Sequence, residues 1–420
     1  MSVDANKIEK LISDTVFTAD AQARDNGFLE IRKLAGENGL HLASIQGLYE
    51  ASGKGKYSGK TVPAMNLRGV TFDMARAVFR AAVKGKVGAM IFEIARSEIG
   101  YTLQRPAEYT ACVLAAAMAE GFTGPIFMQG DHFQVNAKKY QTDAQKELNA
   151  IKDLIREAVA AGFYNIDIDA STVVDLSKKT ISEQQTDNYT ITADMTKFIR
   201  GMEPKGVTVS VGGEIGEVGT ANSTVEDLDA FMAGYKKQLG VNVKGISKIS
   251  VQTGTSHGGV VLPDGSIAKV KIDFKTLEDL SRTAKEKYGM GGAVQHGAST
   301  LPDEAFHKFP EVGTVEVHLA TGFQNIVLDS PHFPDSLIQK INGSLMEKYA
   351  ADRKSGETDE QFLYKTRKKA FGDFKKEMWD LPDAIMAAIG RDLEERFALL
   401  FEKLSVTDTV DLVKKYVKAK

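Results

Sequence analysis

Short apolar runs rich in β-branched residues recur along the middle of the chain, each bounded by glycine, proline or asparagine. Several of these runs are almost continuously apolar, which is typical of parallel strands that are covered on both faces. They predict eight strands, at Thr61–Leu67, Val87–Ile94, Pro125–Gln129, Tyr164–Asp169, Val207–Glu214, Lys248–Thr253, Gly292–His296 and Thr314–Thr321.

Segments with helical periodicity separate these runs. Apolar stripes at i, i+3, i+4 spacing occur in Phe72–Val83, Ala144–Ala161, Val225–Leu239 and Leu277–Tyr288. Eight alternations of strand and helix over roughly 260 residues predict one α/β domain, a (β/α)8 TIM barrel at residues 61–330. A doubly wound sheet is the alternative, but no GxGxxG motif follows the first strand to support it.

Two regions lie outside the predicted barrel. Residues 1–60 are predicted to form a helical N-terminal extension, and residues 331–420 a helical C-terminal tail that packs on the barrel. The most polar part of this tail, Lys348–Gln361, is expected to be a solvated helix or loop rather than a separate domain.

Composition narrows the class of protein. The 420 residues are 43% hydrophobic and 26% charged, which provides apolar surface for a sizeable core. Because the net charge is −3 with acids and bases interspersed, we expect neither nucleic acid nor a membrane as partner. Cys112 is the single cysteine, in an Ala-rich helical stretch where a core position is expected. Without a hydrophobic signal region or a long apolar span, we expect a cytoplasmic protein.

The histidines are distributed unevenly. Four of the seven end predicted strands: His132, His257, His296 and His318. In a barrel these strand ends converge on one face, where active sites are built, and Asp131, Asp169 and Glu214 reach the same rim. Three imidazoles leave the fourth position of zinc open, as in a catalytic site, although cobalt, manganese and iron remain alternatives. Any single histidine could instead be a polar residue hydrogen-bonded at a strand end.

With these residues in place, the chain resembles the class II, metal-dependent fructose- and tagatose-bisphosphate aldolases, as a divergent member. The similarity runs from about Val62 to Thr321 and is weaker in Arg391–Leu404. Six motifs occur in the order of the family: VPAMN, DH, D-x-S, E-I-G-x-x-G, SHG with a following PDG, and HGAS.

The resemblance implies one catalytic zinc site with His132, His257 and His296 as ligands. Asp169 and Glu214 match acidic positions beside the metal, which leaves room for a second divalent or monovalent cation. Cleavage between C3 and C4 of a ketose leaves charge that is delocalised as an enediolate, and a metal stabilises it as a Lewis acid.

The resemblance also assigns the proton transfers and the substrate contacts. Asp131 matches the acid/base residue for the C4 hydroxyl. The expected substrate- and phosphate-binding residues are Asn66, Gly258, Gly297, Ser299, His318 and Thr321.

Several positions depart from the family pattern. Asn222 stands where the family has a loop glutamate that moves the carbon-bound proton, so we predict Glu217 as the second catalytic residue, with Glu226 as the alternative. Other departures replace phosphate- or carbonyl-binding residues, at Ala95, Val261, His318 and Ala320. Lost charge could be restored by Arg96, Arg105 or Lys269.

The sequence therefore predicts an aldolase of carbohydrate metabolism, of the glycolytic type, acting on a phosphorylated ketose or triose phosphate as a homodimer or homotetramer. Two alternatives differ in kind. One is a non-catalytic partner subunit of a tagatose-bisphosphate aldolase-like system, which Asn222 favours and the retained histidines oppose. The other is a metal-dependent sugar-phosphate isomerase or epimerase, which would use the same enediolate without cleavage.

Overall fold

A closed ring of eight parallel strands forms the centre of the computed structural model, which describes residues 4–216, 221–254, 262 and 272–418. Each strand from β2 to β8 pairs with the next, and β9 pairs back with β2. The strands are β1 (Leu40–Leu42), β2 (Val62–Asn66), β3 (Ile91–Ala95), β4 (Gly124–Gln134), β5 (Phe163–Asp169), β6 (Ser210–Glu214), β7 (Lys248–Val251), β8 (Ala293–Gln295) and β9 (Glu316–Leu319). The (β/α)8 barrel prediction is confirmed.

Helices surround this ring and make up most of both terminal segments. They are α1 (Ala5–Phe17), α2 (Ala21–Glu37), α3 (Gln46–Gly53), α4 (Thr71–Gly85), α5 (Arg96–Tyr101), α6 (Pro106–Ala119), α7 (Ala137–Thr142), α8 (Ala144–Ala160), α9 (Ile181–Gln184), α10 (Thr186–Arg200), α11 (Val225–Leu239), α12 (Phe274–Glu286), α13 (Lys308–Glu311), α14 (Thr321–Leu328), α15 (Asp335–Lys348), α16 (Asp359–Thr366), α17 (Ala370–Asp373), α18 (Lys375–Trp379), α19 (Asp383–Lys403) and α20 (Val410–Tyr416). Short 3-10 helices lie at Ser171–Val173, Asp303–Ala305, Ala350–Asp352 and Arg367–Lys369. None of the described helices is both long and apolar enough to cross a membrane.

Three details differ from the expected strands. The N-terminal segment contains one strand, β1, which pairs in parallel with the start of β4. Two predicted strands began too early, because β3 starts at Ile91 and β6 at Ser210. Strand β4 is longer than expected and contains a bulge, in which Asp131 and His132 stand opposite one residue of β5. His132 has φ 40°, a left-handed conformation that is uncommon for a residue with a side chain.

Charged side chains occupy the inside of the barrel. The ammonium group of Lys248, on β7, lies 2.9 Å from Asp167 Oδ2 and also pairs with Glu316. Gln129 accepts a hydrogen bond of 2.7 Å from the same Nζ atom. Tyr49, on α3 outside the strands of the barrel, donates a hydrogen bond to Glu316. These contacts stabilise charges that would otherwise be costly to bury.

The C-terminal segment lies against two parts of the barrel. Helix α19 packs on α4, where Arg80 Nε is 2.7 Å from Glu394 Oε2. Residues 350–379, here called the tail cap, reach the face at which the strands end. Trp379 Nε1 donates a hydrogen bond of 2.9 Å to the carbonyl of Gly69, which lies in the loop between β2 and α4. Gly69 lies so close to Phe371 that a Cβ atom there would overlap the ring.

We expect Lys248→Met to lower the free energy of unfolding by about 3–5 kcal/mol, because it leaves Asp167 and Glu316 buried without their ammonium partner. Urea denaturation measures this loss. The matched control is Lys275→Met, which removes an exposed ion pair with Asp279 at 2.9 Å and should leave the free energy of unfolding almost unchanged. Equal losses in the two variants would show that the buried network is not stabilising.

Candidate metal centre and active-site cavity

Three imidazole rings lie side by side at the C-terminal ends of the strands. His132 is in the bulge of β4, His296 directly follows β8, and His318 is in β9. The ring centroids are 4.1 Å apart between His132 and His296, and again 4.1 Å apart between His296 and His318. The expected third ligand, His257, lies outside the described residues.

Carboxylates surround these rings. His132 Nδ1 is 3.1 Å from Asp169 Oδ2 and 3.8 Å from Glu214 Oε2, and His296 Nδ1 is 3.6 Å from the same Glu214 atom. Burial alone would lower the pKa of His132, but Asp131, Asp169 and Glu214 raise that pKa well above its ordinary value. The carboxylate of Asp169 is oriented by Gln134 Nε2 at 2.6 Å and by the hydroxyl of Ser171 at 2.7 Å.

The donor set fits a divalent metal ion. Ligand atoms of Asp131, His132 and His296 lie within 4.8 Å of one another, and so do those of His132, Asp169 and Glu214. Imidazole nitrogens with nearby carboxylate oxygens are the ligands that zinc and similar first-row ions take. Four of the residues predicted to bind metal therefore lie together at one end of the barrel. They are His132, Asp169, Glu214 and His296.

A second group of charged residues lies next to this one, and two of its members, Glu93 and Glu316, were not predicted from the sequence. His318 Nδ1 is 3.0 Å from Glu93 Oε2 and 3.1 Å from Asp131 Oδ1, while Nε2 is 2.6 Å from Glu316 Oε1. Burial and the charge of Asp131 raise the pKa of Glu93 to about 7, with His318 acting in the opposite direction. Both ring nitrogens of His318 thus contact carboxylates.

One signal in the sequence could have identified these residues. Glu93 and Glu316 are charged positions inside otherwise apolar strand runs, IFEI and TVEV. In a barrel strand, alternate residues point to the inside, so a charge there requires a partner from another strand.

The strand ends open into a cavity of about 1110 Å³. Its wall contains Asp131, His132 and most of the residues expected to bind substrate, namely Asn66, Gly297, Ser299, His318 and Thr321. Gly258 and Glu217, two further predicted residues, lie outside the described part of the chain.

Some wall residues already have partners within the protein. Asn66 donates a hydrogen bond to Glu98 and accepts one of 3.3 Å from Arg68 Nε. The hydroxyl of Ser299 accepts a bond of 2.7 Å from the backbone N–H of Ala320.

The other candidate residues are placed less favourably. Arg96 is in the wall, but it pairs with Glu147 and donates to the carbonyl of Gln134 at 2.7 Å. Arg105 pairs with Glu157 in an exposed position. Glu226 is exposed in the first turn of α11. Asn222 donates a hydrogen bond of 3.3 Å to Asp273, the N-cap of α12.

Three further positions were singled out in the comparison with the family pattern. Ala95 ends β3 and is buried. Val261 and Lys269 lie outside the described residues.

The tail cap completes the cavity wall. Lys354, Ser355, Gly356, Glu357, Gln361, Tyr364, Lys365 and Lys368 all line it. The predicted polar segment Lys348–Gln361 is largely exposed, as expected, and it also borders the site. The cap is attached by Arg367, whose guanidinium is 2.6 Å from Asp329 Oδ1 and 2.6 Å from Asn325 Oδ1.

Comparison with solved structures finds the same fold. An aldolase named YdjI from Escherichia coli K12 is 14% identical with a TM-score of 0.51, over 88% of this chain and 100% of that chain. A probable tagatose 6 phosphate kinase from Sinorhizobium meliloti 1021 is 16% identical, with a TM-score of 0.55 and coverage of 85% and 93%. The fructuronate-tagaturonate epimerase UxaE from Cohnella laeviribosi is 12% identical, with a TM-score of 0.58 and coverage of 83% and 82%. At these identities the likeness establishes the fold and nothing finer.

Sequence comparison gives the family. No curated protein matches the chain significantly. The family model described as "Fructose-bisphosphate aldolase class-II" matches residues 46–387, which include the whole barrel and the tail cap. The chain therefore belongs to the class II fructose-bisphosphate aldolase family.

Proposed function

We propose that this chain is a zinc-dependent aldolase that makes or breaks a carbon–carbon bond in a phosphorylated ketose. The observation that carries the proposal is the convergence of His132, His296 and Asp131 at the strand ends, where Asp131 and His132 line the cavity. Membership of the class II aldolase family supports the same reaction class.

The metal would be held by His132 and His296, with His257 as the proposed third ligand. When bound, a divalent metal stabilises the negative charge that cleavage places on the ketose oxygens, as a Lewis acid. Asp169 and Glu214 are proposed to orient His132 and His296, since their carboxylates contact those rings. With His132 they also offer an alternative position for a second cation.

Asp131 is the proposed acceptor of the C4 hydroxyl proton. Its carboxylate lines the cavity directly beside His132, so it reaches a substrate bound there. The contact of its Oδ1 atom with His318 Nδ1, at 3.1 Å, restricts its orientation. Glu217 is proposed to move the carbon-bound proton, because Asn222 has no ionisable group and hydrogen-bonds to Asp273.

An isomerase or epimerase remains the second candidate. It would form the same metal-stabilised enediolate as the aldolase, without breaking a carbon–carbon bond. Release of a triose from a ketose phosphate supports the aldolase, whereas ketose interconversion without triose supports the second candidate.

We expect His132→Ala and His296→Ala each to lose most of the bound zinc while the barrel stays folded. The lost imidazoles lie at the rim, outside the packed core. Elemental analysis after dialysis measures the metal, and circular dichroism checks the fold. His332→Ala is the control, because His332 is exposed in a loop. Zinc retained at one equivalent in the double variant would contradict this metal centre.

We expect Asp131→Asn to keep its metal but to lower kcat by about 10²–10⁴-fold, because the amide cannot accept the hydroxyl proton. Steady-state kinetics and metal content are measured on the same preparation. A variant within a few-fold of the parent, with metal bound, would mean that another residue is the base.

Fructose 1,6-bisphosphate is expected to be a poor substrate, with kcat/KM below about 10⁴ M⁻¹s⁻¹. Ala320 and Val261 replace polar family positions, and each lost charge-assisted bond to phosphate weakens binding by about tenfold or more. Arg96 and Arg105 do not restore the charge, because Glu147 and Glu157 pair with them. A value above that limit would show that the replacements are compensated.

A further inference from the structure

The cations in the cavity wall are of two kinds. Arg68 pairs with Glu98 at 2.5 Å, Arg96 pairs with Glu147, and Lys365 pairs with Glu357 at 3.0 Å. Three lysines of the same wall form no ion pair with any described residue, and these are Lys139, Lys354 and Lys368.

Lys368 differs from the other two in its surroundings. Burial lowers its pKa, and the positive charge of Arg68 lowers it further, with Glu98 acting in the opposite direction. Its Nζ atom lies 5.6 Å from the centre of the Tyr101 ring. The side chain is nevertheless accessible to solvent, because it borders the open cavity. A cation placed beside a second cation in a concave site is suited to an anionic ligand.

The backbone on both sides of Lys368 is held in place. Its neighbour Arg367 forms two bonds to Asp329, of 2.6 and 3.0 Å. Phe371, three residues later, packs on Gly69 at the end of β2. Gly372 contacts the Tyr101 carbonyl so closely that a Cβ atom there would overlap it. The backbone that carries the Lys368 side chain is therefore already ordered, and this lowers the entropic cost of binding a ligand there.

The position of Lys368 indicates which part of a substrate it would contact. The reacting atoms must lie beside Asp131 and the histidines at the strand ends. Lys368 lines the cavity from the cap, whereas Asp131 and His132 line it from strand β4.

We propose that Lys368 binds the anionic group at the end of the ketose remote from its carbonyl. This inference rests on the proposed function and narrows its substrate class to ketoses with a terminal phosphate or carboxylate. Val261 stands where the family has a phosphate- or carbonyl-binding residue, whereas the ammonium of Lys368 lines the cavity without an ion-pair partner among the described residues.

The test measures binding separately from turnover. Zinc-loaded protein carrying Asp131→Asn is titrated calorimetrically with fructose 6-phosphate, fructose 1-phosphate and fructuronate, whose remote end is a carboxylate. Adding Lys368→Met should raise the Kd of the 6-phosphate or of the carboxylate at least about tenfold, since a charge-assisted bond is lost. The Kd of fructose 1-phosphate should change less than about twofold. The anion with the larger change identifies the ligand class.

Two further variants control the design. Lys368→Arg keeps the charge and should stay within about threefold of the parent. Lys369→Met removes the adjacent lysine, which pairs with Asp352 at 2.6 Å and does not line the cavity, and it should leave all three Kd values unchanged. Equal weakening of every ligand by Lys368→Met, or no weakening of any, overturns the proposal.

An assay of triose release by protein that retains Asp131, run beside the titrations, separates this inference from the aldolase assignment. If Asp131-intact protein releases no triose but the Kd still depends on Lys368, the aldolase fails and the anion site stands. If triose is released and the Kd does not depend on Lys368, the aldolase stands and the anion site fails.

Discussion

The buried ion pairs of Lys248 are the contacts on which the barrel and its rim both depend. The ammonium joins Asp167 on β5 and Glu316 on β9, strands that are not neighbours in the ring. Glu316 in turn contacts His318 at 2.6 Å, and His318 contacts Asp131. One connected set of charges therefore runs from the barrel interior to the residue proposed as base. Replacing Lys248 would therefore change the charge beside His318, because Glu316 contacts both side chains.

The barrel could be predicted because strands and helices leave patterns within short stretches of the sequence. Apolar runs such as VPAMN and helical stripes such as Phe72–Val83 report strand and helix within a few residues. The parallel ring then brings strand ends together, so His132 and His296 were expected to be neighbours and their rings do lie side by side. Strand β1 was missed because it has three residues and depends on pairing with β4, which no pattern in LHL indicates.

The rest of the site depends on contacts between residues far apart in the sequence. From the sequence alone, Arg96 was expected as a cation available near a strand end, but in the structure it pairs with Glu147 on α8. The bulge that places Asp131 and His132 opposite one residue of β5 follows from register, which the sequence of β4 alone does not specify. The attachment of Arg367 to Asp329 likewise joins the tail to the barrel rim without a local signal.

The tail cap brings lysines to a cavity whose strand ends carry carboxylates and imidazoles. Carboxylates and imidazoles lie at the strand ends, where Glu93, Asp131 and Glu214 are buried. The tail cap contributes Lys354 and Lys368 without ion-pair partners among the described residues. The lysines of the cap attract an anionic group that enters this cavity. A sugar with a single anion at the end remote from its carbonyl is therefore favoured in the orientation that leaves the carbonyl beside Asp131 and the proposed metal ligands.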